Sequence, residues 1–237
     1  MISARLSRRL VRHHLPIGLV TLAGAFVLYI TRSYPDVITR LSFASAYPAL
    51  ILLGATLVIG PLKMLAGDRA AISFDIRRDI GIWAGIAGIF HAVIGQCVHL
   101  RGRPWLYYIY ENWQQKHFLP IRHDLFGLAN YTGILAALVL LILLATSNDA
   151  MLRKLGTPGW KQLQRWNYLC FALTAVHTLT YQTGIETPKL PLVGTAVATI
   201  VITLWLQFVG YRRRQIFKKT YLGHSTENYV VSTTALD

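Results

Sequence analysis

Of the eight histidines in this sequence, two lie deep inside apolar runs: His91 in IGIWAGIAGIFHAVIGQ and His177 in YLCFALTAVHTLTYQ. An imidazole at that depth in an apolar segment costs free energy, so it points to a function rather than to packing. His91 follows Arg78 by 13 residues and His177 follows Arg165 by 12. At about 1.5 Å rise per residue, both rings then lie about 18–20 Å from a basic helix end. If the two helices run in the same direction, the rings share one level. Two neutral imidazoles at one level on two helices of a bundle suit axial ligation of a heme iron, where two nitrogen ligands favour electron transfer. Each ring also needs its second nitrogen held by a hydrogen bond. Thr174 and Thr180, one turn either side of His177, are within reach on its own helix.

Gly88 and Gly95 lie at minus three and plus four from His91 and share its face. Two explanations compete: the face is kept bare for a flat macrocycle, or Gly81, Gly85, Gly88 and Gly95 let helices pack closely. Arg78 and Arg165 at the basic rim suit heme propionates, a quinone or lipid phosphates, against the alternative that they only anchor the helix ends. His99, His117 and His123 fall toward the opposite surface and read either as a second heme or metal site or as solvated histidines. His13 and His14, beside Arg12, read as headgroup-facing, and His224 lies in a polar tail. The two cysteines, Cys97 and Cys170, read as buried free thiols.

The elements that must position these residues follow from composition. The chain has 237 residues, 54% hydrophobic and 14% charged, with a mean hydropathy of +0.42. A soluble domain of this size cannot hide that much apolar surface, so its solvent is partly lipid. Six runs approach the roughly 20 apolar residues a span requires: 15–31, 44–65, 79–99, 125–146, 165–184 and 191–211. The expected fold class is therefore all-α, an integral membrane bundle of six transmembrane helices.

The net charge of +14 raises the thought of nucleic acid. Its distribution excludes it, because the basic residues flank apolar runs instead of lining one polar face. Seventeen of the 24 Lys and Arg fall on one side of the bilayer and seven on the other. The positive-inside rule then puts both termini in the cytoplasm and the loop 100–124 outside. The basic start running into an apolar stretch resembles a signal peptide but lacks a small-x-small cleavage site, and it reads as a retained first helix. The expected organisation is a basic cytoplasmic N-terminus (1–14), a six-helix heme-binding membrane domain (15–211) and a cytoplasmic tail (212–237). The aromatics of the outer loop, including Trp105, Tyr107, Tyr108, Tyr110, Trp113 and Phe118, read either as an interfacial belt or as a docking surface.

Several stretches together resemble a known family: IGPLK at 59–63, RRDIGIWAGIAGIFH at 77–91, ATSNDAMLRKLG at 145–156 and WKQLQRWNYLCFALTAVH at 160–177. They are similar to the ferric-reductase-like transmembrane domain family, of the YedZ/MsrQ type, the heme-binding membrane subunit of the methionine-sulfoxide reductase system. The resemblance covers roughly residues 50–210. It implies a six-helix heme-binding bundle whose ligating histidines on spans 3 and 5 fall on His91 and His177. The family reads Leu-His-Arg at the start of span 5, where this chain has Leu163-Gln164-Arg165. An amide is a poor iron ligand, which argues against the second, cytoplasmic-side heme of some relatives.

Absent motifs narrow the function further. The sequence has no dinucleotide-binding glycine fingerprint, H-E-x-x-H, C-x-x-C or Ser-His-Asp pattern. The chain therefore takes no hydride by itself. The reading is a membrane b-type cytochrome subunit with one heme b, receiving electrons from quinol or a separate reductase and passing them to a partner oxidoreductase outside. Quinone or flavin are further candidate cofactors, and the expected surroundings are membrane lipid and a protein partner in a bacterial inner membrane. The alternative is a structural or accessory subunit of a larger membrane complex without turnover of its own. A transporter would need more ionisable residues along a path or broken helices at the midplane.

Overall fold

Lipid offers the backbone no hydrogen-bonding partner, so a chain this apolar must satisfy its own N–H and C=O groups within helices. The computed structural model describes residues 4–31, 34, 36–67, 74–111 and 120–234. It is helical throughout; among the described residues the sole β-type pairing is an isolated antiparallel bridge between Ile109 and Ile121. The helices are α1 (Leu15–Thr31), α2 (Val37–Ala66), α3 (Phe74–Gly95), α4 (Leu125–Ala145), α5 (Asp149–Gln164), α6 (Trp166–Thr180) and α7 (Leu190–Thr234). All six apolar runs are helical. Four stretches are long and apolar enough to cross a membrane on those grounds alone: Ser7–Thr31, Val37–Ala66, Leu125–Ala145 and Leu190–Phe217. The helices bearing His91 and His177 fall outside that set. α3 opens with Asp75, Arg77, Arg78 and Asp79, and α6 is only 15 residues long before it passes into a π-helical turn, Tyr181–Ile185.

The helix starts are set by local polar chemistry. Asp36, Asp124 and Asn148 accept from the N–H groups of Thr39, Gly127 and Met151, capping α2, α4 and α5. The carboxyl of Asp124 is held below its ordinary range: burial opposes this, but the Arg122 guanidinium and the Gly127 N–H outweigh it. α5, between the fourth and fifth apolar runs, is a short helical segment, bent where Gly156 takes a left-handed φ of 66° two residues before Pro158. α7 continues as helix past residue 212 to Thr234.

The core sits where α2, α4, α6 and α7 meet, around Leu50, Leu53, Leu57, Ala136, Cys170, Phe171 and Ala196. Cys170 is buried as expected, whereas Cys97 is exposed because α3 has already ended at Gly95. Two features hold α1 and the helical turns before it, Ala4–Arg9 and Leu10–His14, to α3. Trp83 occupies the space where a side chain on Gly18 would begin. Asp79, fully buried, pairs with Arg9 and with the Nδ1 of His13 at 2.7 Å and the Nε2 of His14 at 3.2 Å. His13 and His14 thus turn inward to an acid instead of facing headgroups, because an unpaired carboxylate at that depth is too costly.

Pro61 lies inside α2. Lacking an N–H, it leaves the carbonyl of Leu57 without its helical donor. Gln207 of α7 supplies one, its Nε2 donating to that oxygen at 2.5 Å, while Gly210 lets α7 approach the proline ring closely. Gln207→Leu should therefore cost about 1–3 kcal/mol, the penalty of an unsatisfied buried carbonyl. In the double variant Pro61→Ala/Gln207→Leu, the restored backbone N–H should recover much of that loss in a detergent melt. Additive losses in the two variants would refute the linkage.

Candidate functional site

His91 projects from the last third of α3 and His177 from the end of α6, and their ring centroids stand 6.1 Å apart with the planes inclined by 73°. Both are half-buried, and both line one cavity with about 1290 Å³ of atom-free space, its mouth included. The depth matching expected from the sequence thus corresponds to two rings that meet across a cavity.

Each ring is held through its Nδ1. That of His91 lies 2.9 Å from the Ser42 carbonyl of α2, and that of His177 lies 2.7 Å from the Ala129 carbonyl of α4. A carbonyl oxygen only accepts, so Nδ1 carries the proton in both rings and Nε2 keeps its lone pair. Neither Nε2 has a hydrogen-bond partner among the described residues. The expected partners on the same helix do not serve: Thr174 donates its hydroxyl to the Cys170 carbonyl instead, at 2.8 Å. A helical threonine returns to its own i−4 carbonyl, so the imidazole is fixed from a neighbouring helix.

Gly133 was not among the residues singled out from the sequence. A Cβ there would lie 2.6 Å from Nδ1 of His177, so the bare backbone of α4 is what admits the ring to Ala129. Ala129 and Gly133 form a small-xxx-small pair, a sequence signal for close helix approach. Gly88 and Gly95 both line the cavity. At Gly88 the missing side chain makes room for Leu140, whose Cδ2 would sit 2.5 Å from a Cβ, and Gly85 receives Leu144 in the same way.

The end of the cavity near His99 is polar and aromatic. Tyr181 lies 5.0 Å from His177 by ring centroid and is stacked with His99 at 6.3 Å. Its hydroxyl donates to Asn130 at 3.0 Å, and His99 Nε2 is 3.9 Å from Glu186. The loop after α3 closes over this end. Tyr107 is 1% exposed, its hydroxyl accepting from the His99 N–H at 2.7 Å. This ring is a plug within the fold, whereas Trp105 is exposed. His123 is exposed and rests against Tyr110; His117, Trp113 and Phe118 lie outside the described residues. Among the described residues no three His, Cys, Asp or Glu side chains gather to hold a bare metal ion.

Arg78 and Arg165 line a different cavity, at the basic end of the bundle. The Arg78 guanidinium pairs with Asp149 at 2.5 Å and Asp75 at 3.4 Å. Gln164 lines that second cavity too. The geometry of the first cavity is directly testable. Gly133→Val should displace the His177 ring and break its bond to Ala129, read as a loss or broadening of the Nδ1–H resonance in selectively labelled protein. An unmoved resonance would mean that the glycine does not set the ring.

No family profile matches the chain. It is 32% identical over 130 residues to the protein-methionine-sulfoxide reductase heme-binding subunit MsrQ of Deinococcus radiodurans, covering 54% of this chain and 56% of that protein. It is 28% identical to MsrQ of Pectobacterium atrosepticum over 70% of this chain and 73% of that protein. The MsrQ of Ralstonia nicotianae is 26% identical over 70% of each. These matches relate the chain to the MsrQ heme-binding subunits, the type that its stretches at 77–91 and 160–177 resemble.

Proposed function

We infer that the chain is the heme-binding membrane subunit of an electron-transfer system, holding one b-type heme between His91 and His177. The observation that carries this reading is a pair of imidazoles on α3 and α6, each with Nδ1–H tied to a backbone carbonyl, facing one cavity at 6.1 Å. Two imidazoles that keep their Nε2 lone pairs and stand this close across a cavity are residues that would hold an iron between them. They fit a macrocycle better than a bare ion, because a porphyrin brings four ligands of its own and the protein need supply only two.

When bound, heme supplies reversible one-electron chemistry. The protein's share is ligation, burial and exclusion of water. Ser42 and Ala129 fix the tautomer of each ligand and keep both Nε2 lone pairs available. Apolar side chains of α2 and α4, among them Phe43, Leu50 and Leu140, wall the flanks. Asn130, Gln182 and His99 give their end of the cavity hydrogen-bonding capacity suited to carboxylates.

The chain is a multi-pass protein of the bacterial inner membrane, and we read it as six spans (within 15–211) with both termini cytoplasmic, a basic N-terminus (1–14) and a tail (212–237). Likeness to the MsrQ subunits supports a role in methionine-sulfoxide reduction. In that role it relays electrons from quinol or a separate reductase to a partner oxidoreductase on the outer side.

His91→Ala and His177→Ala should each remove most of the heme or convert the same low-spin spectrum, measured by pyridine hemochrome on pure protein. His99→Ala should leave that spectrum in place. Retention of the low-spin signal in either ligand variant would overturn the assignment. Reporter fusions at 147–160 and in the tail should report cytoplasm, since short Lys- and Arg-rich loops resist translocation. An outside signal at either position would reverse the orientation.

A further inference from the structure

The second cavity lies at the basic end of the bundle, with about 1050 Å³ of atom-free space. Leu53 and Leu140 line it and the His91–His177 cavity alike, so these two side chains stand between them. Its residues divide into two chemical parts. One wall is apolar, made by Leu53, Leu140, Leu143 and Leu144. The rim carries four cationic side chains, Arg77, Arg78, Lys161 and Arg165.

No carboxylate, histidine, cysteine or methionine lines this cavity, so it offers iron no ligand. Arg78 reaches Asp149 and Asp75 outside the lining. Its side chain is 6% exposed, yet its Nε is buried with no hydrogen-bond partner, and the Nε2 of Gln164 is in the same condition. Buried donors without acceptors are uncommon in native folds and call for an explanation. A rim with three guanidinium groups and an open amide N–H, beside the hydroxyls of Ser147 and Tyr168, is satisfied by an anion with several oxygens. The leucine wall beside it is satisfied by hydrocarbon.

We propose that this cavity binds one anionic phospholipid, its phosphodiester on Arg77, Arg165 and the Gln164 amide and an acyl chain along Leu53, Leu140, Leu143 and Leu144. Basic pockets between helices at the cytoplasmic side of a membrane are suited to such headgroups. A neutral quinone ring would bring two carbonyl oxygens and no negative charge to Arg77 and Arg165, so the charge of the rim selects the phosphate ester. Gln164 then belongs to a lipid site, which accounts for an amide where an imidazole would ligate iron. The site stands independently of the heme reading, because it shares with that cavity only the two leucines.

Native mass spectrometry of the full-length holoprotein in a neutral detergent tests this, titrated with phosphatidylglycerol, phosphatidylcholine, glycerol phosphate and flavin mononucleotide in turn. Phosphatidylglycerol should saturate at one equivalent and bind at least tenfold more tightly than phosphatidylcholine, with neither water-soluble phosphate displacing it. Arg77→Gln/Arg165→Gln should lower its affinity about tenfold or more, and Gln164→Leu by a few fold, with the low-spin heme spectrum unchanged. Equal binding of the two lipids, displacement by glycerol phosphate or flavin mononucleotide, or wild-type affinity in the double variant would each overturn the proposal. The wild-type titrations decide the matter even if the double variant does not fold. Loss of the heme spectrum in His91→Ala with phosphatidylglycerol binding intact keeps the two sites apart.

Discussion

The interior of a bilayer supplies no water to a stranded polar group, and the arrangement of this bundle follows from that lack. Several donors and acceptors that a side chain or a proline leaves open are closed from a neighbouring helix. Pro61 opens the Leu57 carbonyl and Gln207 closes it from α7. Thr56 receives the Asn167 amide at 2.5 Å, across α2 and α6. The two histidines obey the same rule in reverse: each brings an N–H into the apolar interior and finds a backbone carbonyl on the helix facing it. These cross-helix bonds tie α2 to α3, α6 and α7, and α4 to α6. The polar groups that make function possible therefore also fix which helices are neighbours.

Such bonds need close backbones, and small residues provide them at defined points. Gly133 admits an imidazole, Gly210 a proline ring and Gly18 an indole. Each lies on the helix facing the group it admits, so the glycine and its partner are far apart in sequence. The consequence is a site with little freedom. His177 is bounded on one side by bare backbone and on the other by Tyr181, so its ring plane is set by packing as well as by its hydrogen bond.

What could be read from the sequence was what registers as an exception to an apolar background. His91 and His177 are legible because an imidazole in a hydrophobic run is conspicuous, and matching their distances to basic helix ends suffices to pair them. The six apolar runs are legible from length alone, although the helices carrying the histidines are the least apolar. Backbone carbonyls were not legible, since every residue has one; Ser42 and Ala129 carry no mark of their role, and Thr174 looked the better partner. The inward turn of His13 and His14 was hidden because it depends on Asp79, 66 residues beyond His13. Tyr107 looked like its aromatic neighbours, and only folding of the loop separates the buried ring from exposed Trp105. The second cavity was half legible: its basic residues were visible as helix-end charges, but the leucine wall beside them was not.

The buried Asp79 has a consequence for how the bundle is assembled. α1 presents Leu19, Val20, Leu22 and Phe26 outward and packs mainly along α2, while Gly18 and the basic residues before α1 reach α3. A chain made from its N-terminus inserts α1 first, when neither Trp83 nor Asp79 yet exists. Arg9, His13 and His14 then lack their acid until α3 is in place and its carboxylate meets them. The acid that looks like a static brace is thus a timing element: the basic N-terminal end gains its buried partner only once the helix that carries His91 has been made.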